Sequence, residues 1–377
     1  MQRDTEKQKD SLVLPLYQFM DLDYGDAERG GWTMHASGWG RWDLADSSYF
    51  KETSDGELLY GYLAFSKPYS ALRVNLGRQL ILAGVTNQTV DGLSVGTGWK
   101  EIVSAGIFGG VAAGAETSGS AATFGGRLAV HPRPAYEMGI SYENTDLEGD
   151  PDQKAGIDIS FNQGGWLTLQ GLSSYNMESN GWREHNYVAV LRYKDISLEP
   201  AYQLFNYKDY FGVGREQDNI FHFLKESDEQ VTIAGGEIQY QASGPVRLGT
   251  RYNHYSYDLR REAAEYYAAL LSVDFNGGSQ LGFEAGRMDG HTPDNAYALY
   301  RAYFFYNLGR SAFFSGDGIF QDYDAPVFGK DSAMNFSLSA GMGFWGERLA
   351  LKLTGRYSQD PYFDDDLGGI ASLQINY

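Results

Sequence analysis

A two-residue alternation of apolar and polar side chains runs through this sequence from residue 31 onward. Between residues 348 and 357, Leu349, Leu351 and Leu353 share one parity, whereas Lys352 and Arg356 share the other. Because successive side chains of a strand point to opposite faces, this pattern predicts strands with one apolar and one polar face. The same split recurs in three further segments, 136–143, 157–162 and 196–204.

The connections between these segments fall into two classes that alternate along the chain. Tight turns such as 131–134 and 243–245 alternate with longer acidic or polar loops such as 144–153 and 206–228. Tight turns at one rim and long loops at the other are typical of an up-and-down meander. The pattern predicts about 20 strands (18–20) in residues 31–377, an even number that places both ends of the barrel at one rim. Residues 1–30 are expected to form an N-terminal periplasmic segment.

Strand length and aromatic placement favour a membrane barrel over a soluble all-β protein. The predicted strands, at about 10 to 14 residues, exceed the usual 5 or 6, and aromatic residues cluster at their ends, as at Trp166, Phe344 and Trp345. Such clusters form interfacial girdles in outer-membrane barrels. The longest uncharged stretch, 102–115, is glycine-rich and too short for a membrane helix of about 20 residues. The sequence therefore predicts an all-β, transmembrane, up-and-down antiparallel β-barrel surrounded by outer-membrane lipid.

Composition excludes several functional classes. The chain has no cysteine, which excludes disulfide scaffolds, zinc fingers, iron-sulfur sites and covalent c-type haem. A net charge of −19 repels phosphate, so no nucleic acid partner is expected. The six histidines are scattered singly, and the acidic clusters at 150–152 and 364–366 lie in predicted loops, where solvated carboxylates are commoner than calcium sites. We expect no metal site, no catalytic residue and no cofactor bound by this chain.

Side chains alone cannot fill so wide a barrel, so water, an inward loop or another protein must occupy the lumen. Glycine at Gly77 and at 235–236, where the parity breaks, predicts β-bulges. The polar face of the predicted strands carries both positive and negative side chains, so no strong ion selectivity is predicted. The lumen-lining candidates on this face are Arg73, Arg127, Asp158, Glu199, Glu237, Arg247, Arg251, Asp317, Arg348, Lys352 and Arg356.

One set of motifs resembles a known family. The strand motif Gly77, Arg78 and Gln79 is followed by Asp91 and Gly92. Further matching segments are 14–17, 35–41, 55–62, 167–171, 205–212, 257–262, 286–290 and 360–363. Together they resemble the barrel (porin-like) subunits of porin-cytochrome conduits in metal-reducing bacteria, over nearly the whole chain. The resemblance implies an insulating sleeve that holds periplasmic and surface multihaem c-type cytochromes across the outer membrane for extracellular electron transfer. Haem is then expected only on the partner cytochromes.

Two other functions stay open at this point. A stand-alone diffusion porin for small solutes would need an inward-folding loop, and 206–228 is the only predicted loop long enough. A structural or adhesive surface barrel would instead bind partners through its acidic loops.

Overall fold

A computed structural model describes most of the chain. The described residues are 2–4, 9–11, 14–26, 30–44, 52–67, 71–113, 121–133, 135–147, 150–211, 229–259, 263–309, 311–345, 348–361 and 365–375. Within them, no helix is long and apolar enough to cross a membrane.

The described residues are almost entirely β-strand, with one short helix, α1, and a 3-10 turn at Pro293–Asn295. The strands are β1 Gln2–Asp4, β2 Lys9–Ser11, β3 Pro15–Tyr24, β4 Gly31–Asp43, β5 Ser54–Ser66, β6 Arg73–Ala83, β7 Thr86–Trp99, β8 Val103–Ala112, β9 Ala122–Arg133, β10 Tyr136–Leu147, β11 Asp150–Gln163, β12 Leu167–Asn176, β13 Gly181–Tyr193, β14 Ile196–Asn206, β15 Gln230–Ser243, β16 Val246–Tyr257, β17 Ala263–Phe275, β18 Ser279–Asp289, β19 Tyr297–Leu308, β20 Ala312–Val327, β21 Lys330–Phe344, β22 Leu349–Gln359 and β23 Asp365–Ile375, and α1 is Tyr207–Phe211.

From β3 to β23, each strand pairs antiparallel with the next one along the chain. The short strand β1 pairs with β2 and meets the start of β23 at Gln2↔Asp366. We name the two rims by their connections: the turn rim holds those that follow odd-numbered strands, and the loop rim holds those that follow even-numbered strands. The predicted up-and-down antiparallel meander is confirmed.

The ladder begins one strand earlier than predicted. The described part of residues 31–377 holds 20 strands, as expected, but β3 lies inside the segment 1–30 and pairs with β4 from Pro15↔Asp43 to Tyr24↔Met34. The boundary at residue 31 is therefore wrong. With 21 long strands, β3 begins at the loop rim while β23 ends at the turn rim, so the prediction that both ends lie at one rim is wrong as well. The start of β3 therefore lies at the loop rim, and not at the turn rim, which was expected to face the periplasm.

Several connections at the loop rim are short because the flanking strands are long. The turn between β20 and β21 is only Phe328 and Gly329, and the turn between β6 and β7 is only Gly84 and Val85. Strands β10 and β11 likewise extend through most of the predicted loop 144–153, pairing as far as Leu147↔Asp150.

A continuous set of apolar side chains is exposed on the outer face of the meander. Met138 and Ile140 of β10 point outward, as do Leu338 of β21 and Leu353 of β22, and between 51% and 64% of each side chain is accessible. A water-soluble surface rarely exposes so much contiguous apolar area, whereas a barrel in lipid requires it. The outer face is therefore the lipid-facing surface of a membrane barrel.

Candidate functional site

The inner face carries arginines, most of which pair with carboxylates on neighbouring strands. Arg127 Nε donates to Asp158 Oδ2 at 2.9 Å, and Arg247 Nη2 lies 3.1 Å from Asp274 Oδ2. Arg301 pairs with Asp317. These pairs neutralise the wall locally, as the mixed charge of the polar parity predicted.

Arg251 is the centre of a second such group, which involves two carboxylates. Its guanidinium lies 2.8 Å from Glu237 Oε2 and 2.9 Å from Glu284 Oε1. The Tyr266 hydroxyl donates a further bond, at 2.6 Å, to the same oxygen of Glu284. The sequence parity identified Arg251 and Glu237 but not the pairing, which depends on the register of four strands.

The remaining predicted lumen residues have different surroundings. Arg73, at the start of β6, and Lys352 are exposed, and Glu199 lies opposite Glu237 in the β14–β15 register. Arg356 pairs with Asp366 at 3.3 Å. Arg348 lies in the turn between β21 and β22 at the turn rim. It directly precedes β22, which begins at Leu349, and its assignment to the lumen wall stays a prediction.

The end of the β6–β7 hairpin leaves the wall of the barrel. The ladder between β5 and β6 ends at Gly61↔Arg78, whereas β6 and β7 stay paired up to Ala83↔Thr86. Gly77 has a φ of +126°, and a Cβ there would lie 2.3 Å from the carbonyl oxygen of Gly61. Gly92 is equally close to β8, where a Cβ would meet the Gly109 carbonyl oxygen at 2.2 Å. We call residues 79–90 the hairpin tip.

The family-type motif forms the base of this hairpin tip. Arg78 pairs with Asp91 directly across the strands, with two bonds of 2.8 Å, and its Nη1 donates to the free carbonyl of Leu58 at 3.0 Å, where the β5–β6 ladder has opened. Gln79 is buried and accepts a bond from Ser94 at 2.7 Å. The structure thus brings Gly77, Arg78, Gln79, Asp91 and Gly92 together at one bend.

The hairpin tip packs on the inner face of the barrel. The Val85 amide donates to Ser141 Oγ of β10 at 3.0 Å, and Gln88 Oε1 accepts from the Thr123 and Thr145 hydroxyls at 3.2 and 3.3 Å. Ile81 and Val90 of the hairpin tip form a small apolar core with Phe108 of β8. Since Ser141, Thr123 and Thr145 point into the lumen, the hairpin tip occupies part of the lumen.

Helix α1 also packs on the inner face, close to the hairpin tip. Asn176 Nδ2 donates to the Asp209 carbonyl at 2.9 Å, Arg183 Nη2 donates to the Tyr210 carbonyl, and the Arg183 guanidinium stacks on the Tyr210 ring. Burial and, to a smaller extent, the Glu229 carboxylate raise the pKa of the Tyr207 phenol. Of the predicted inward loop 206–228, α1 is the described part; residues 212–228 lie outside the described residues.

The predicted β-bulges at Gly77 and at 235–236 are wrong, because the register runs through both positions without a shift. The apolar residues change parity at 235–236 because Val231 is buried on the inner face, whereas Ile238 and Tyr240 are exposed on the outer face. A register shift does occur between Ser174 and Tyr175, opposite β13, where Arg183 is the extra residue. This bulge lets Arg183 and its neighbour Glu184 both face inward.

A cavity of about 540 Å³ separates the hairpin tip from the inner face of β11–β13 and from α1. Its described lining consists of residues 82–87 with Lys154, Leu172, Ser174, Arg183, Glu184 and Tyr210. We call it the lumenal cavity. No sequence signal identified it, because it depends on the bend at Gly77 and on contacts between segments about a hundred residues apart.

The described residues contain no group of three potential metal ligands. Three serine–histidine contacts lie within the described residues: Ser104 Oγ with His131 Nε2 at 2.9 Å, Ser256 Oγ with His254 Nε2 at 3.2 Å, and Ser173 Oγ with His185 Nδ1 at 2.8 Å. The Tyr187 hydroxyl contacts the same Ser173 Oγ.

Nucleophilic catalysis needs a third group that orients the histidine through a hydrogen bond. Nδ1 of His131 lies 3.5 Å from Glu137, which already pairs with Arg127, and Nδ1 of His254 lies 3.7 Å from Glu265, so both distances exceed the usual hydrogen-bond length. In the contact between Ser173 and His185, His185 Nε2 has no hydrogen-bond partner within the described residues. This contact faces outward, among Trp182 and Tyr202.

No family model matches this sequence, and no curated protein does either. Among solved structures, a chain of the E. coli P pilus tip assembly intermediate PapC-PapD-PapK-PapG matches with a TM-score of 0.51 and 11% identity, over 96% of this chain and 60% of that one. The P pilus usher (PapC) translocation pore matches with a TM-score of 0.49 and 11% identity, over 96% of this chain and 92% of that one. OccK10 (OpdN) of Pseudomonas aeruginosa matches with a TM-score of 0.47 and 13% identity, over 81% of this chain and 97% of that one.

At these identities the likeness concerns the fold alone. The chain has the fold of a bacterial outer-membrane β-barrel. Together with the apolar outer face, this fold places the protein in the bacterial outer membrane, as the sequence predicted.

Proposed function

We propose that this protein is an outer-membrane channel for small polar solutes, narrowed from within by the hairpin tip and α1. The observation that carries the proposal is the position of the hairpin tip on the inner face, fixed by the bonds from Val85 to Ser141 and from Gln88 to Thr123 and Thr145. A wide barrel needs such an inward element to limit what passes through an aqueous lumen.

The paired charges of the wall support the same function. Arg127 and Arg251 are each held by two carboxylates and Arg301 by one, which gives a hydrated surface of mixed charge suited to polar solutes. Such a wall concentrates neither sign of charge at one level.

The test uses the cysteine-free background. The protein is reconstituted in a planar bilayer, and a bulky charged methanethiosulfonate is added to Leu82→Cys, on the exposed side of the hairpin tip, or to Ile140→Cys on the lipid face. We expect ion conductance from the unmodified protein and a loss of current on labelling Leu82→Cys only. Equal block of both variants would contradict the assigned position of the hairpin tip, and absence of conductance would contradict the channel.

The cytochrome sleeve stays a prediction from the family resemblance. Mild detergent extraction from the native membrane, followed by haem staining, separates the two functions. Co-purifying multihaem cytochromes, together with a barrel that does not conduct alone, would replace the channel by the sleeve.

A further inference from the structure

The lumenal cavity is lined by buried polar groups that form no hydrogen bond with the surrounding described residues. Within the described residues, Thr86 Oγ1 and Arg183 Nε have no hydrogen-bond partner, although both residues are at least 95% buried. Burying a polar atom without a partner is unfavourable, because the atom loses its hydrogen bonds to water. Groups of this kind in a concave site therefore indicate a ligand that supplies the missing bonds.

The charged groups of the lumenal cavity are largely paired with each other. Lys154 Nζ lies 3.0 Å from Glu143 Oε1 and 3.2 Å from Asp152 Oδ2, and Arg183 Nη1 lies 3.3 Å from Asp152 Oδ1. The cations are thus already neutralised, and Glu184 adds a further carboxylate to the lining. An anionic solute would find no free cation and would be repelled by Glu184.

The uncharged part of the lining suits a ring that has hydroxyls at its edge and carbon on its faces. Ser174, Thr86 and Asn87 offer both donors and acceptors, while Leu82 and the Tyr210 ring offer apolar contact. The volume of about 540 Å³ lies in the range of small-molecule sites.

We propose that the lumenal cavity is a binding subsite for a neutral, hydroxyl-rich solute of mono- to disaccharide size. This inference rests on the proposed channel function, since the lumenal cavity lies beside the solute path. Hydroxyls of the solute accept from Arg183 Nε and exchange a bond with Thr86, while Glu184 accepts from another hydroxyl.

The test is isothermal titration calorimetry on the detergent-solubilised full chain, with maltose as the probe. Leu82→Trp, at an exposed lining position, fills the lumenal cavity, and Leu80→Trp, two residues earlier on the same face of β6 but outside the lining, is the matched control. We expect saturable binding to the wild type, binding at least about tenfold weaker to Leu82→Trp, and no change for Leu80→Trp.

A second variant, Thr86→Val, keeps the shape of the residue and removes the unused hydroxyl. Weaker maltose binding with an unchanged melting temperature supports the site, whereas unchanged binding in both Leu82→Trp and Thr86→Val would overturn it. Tighter binding of the anion glucuronate or the cation glucosamine than of maltose would contradict the proposal that the bound solute is neutral. Conductance without maltose binding refutes the subsite alone, whereas maltose binding without conductance refutes the channel alone.

Discussion

Single glycines set the inward bend of the hairpin tip. Gly77 combines a φ of +126° with a carbonyl 2.3 Å from where a Cβ would stand. We expect Gly77→Ala to destabilise the barrel by about 1–3 kcal/mol, measured as a lower temperature at which the compact gel band converts to the unfolded one. Gly96→Ala in β7 is the control, because a Cβ there meets nothing within 4 Å. Equal conversion temperatures for the two variants would contradict the role of Gly77.

The alternation of apolar and polar residues predicted most of the inner-face residues but not the residues with which they pair. Arg127, Asp158, Glu237 and Arg251 were assigned to the lumen from alternation alone and do lie there. The role of Arg78 could not be read this way, because it depends on the opening of the ladder beside Leu58, which local sequence does not encode. Alternation along one strand is a local property of the sequence. The bend of a hairpin away from the barrel wall depends instead on contacts between residues that are distant in sequence.

Among the strands, β3 was missed because neither of its faces is purely apolar. Asp21 and Asp23 follow Tyr17 and Phe19 on the same parity, so the strand carries no clean alternation. Oxidation of the pair Leu22→Cys with Ala36→Cys, opposite each other in the β3–β4 register, should form a disulfide in the folded protein. The pair Leu22→Cys with Trp32→Cys, four residues out of register, should not. Equal cross-linking of the two pairs would contradict the position of β3.

The two faces of β22 should respond differently to charge. Leu351 faces lipid and its neighbour Lys352 faces the lumen. We expect Leu351→Arg to destabilise the inserted barrel by about 2–4 kcal/mol if it lies near the bilayer centre, measured by urea unfolding from lipid vesicles. Lys352→Glu, a larger change in charge on the same strand, should leave stability nearly unchanged. A similar loss in both variants would show that β22 is not a membrane-spanning strand with these faces.

For the whole molecule, orientation follows from which rim faces the medium. Phe328 and Trp345 lie in the turns at opposite ends of β21, and their side chains are 77% and 81% exposed. We expect a membrane-impermeant maleimide to label Phe328→Cys, at the loop rim, on intact cells and Trp345→Cys only after lysis. Both sites should react in detergent, which controls for reactivity. Labelling of Trp345→Cys alone on intact cells would invert the topology.

Ion selectivity should depend on how the wall charges are paired rather than on the net charge of −19. In Arg251→Met, Glu237 and Glu284 lose the cation that holds both carboxylates, and the lumen gains negative charge in a poorly solvated place. Arg356→Met removes the same charge from a side chain that is 60% exposed, where salt screens the effect. We therefore expect a larger shift of the reversal potential toward cation selectivity for Arg251→Met in a KCl gradient across a planar bilayer. Equal shifts in the two variants would mean that net charge, and not the pairing of Arg251, sets the selectivity of this channel.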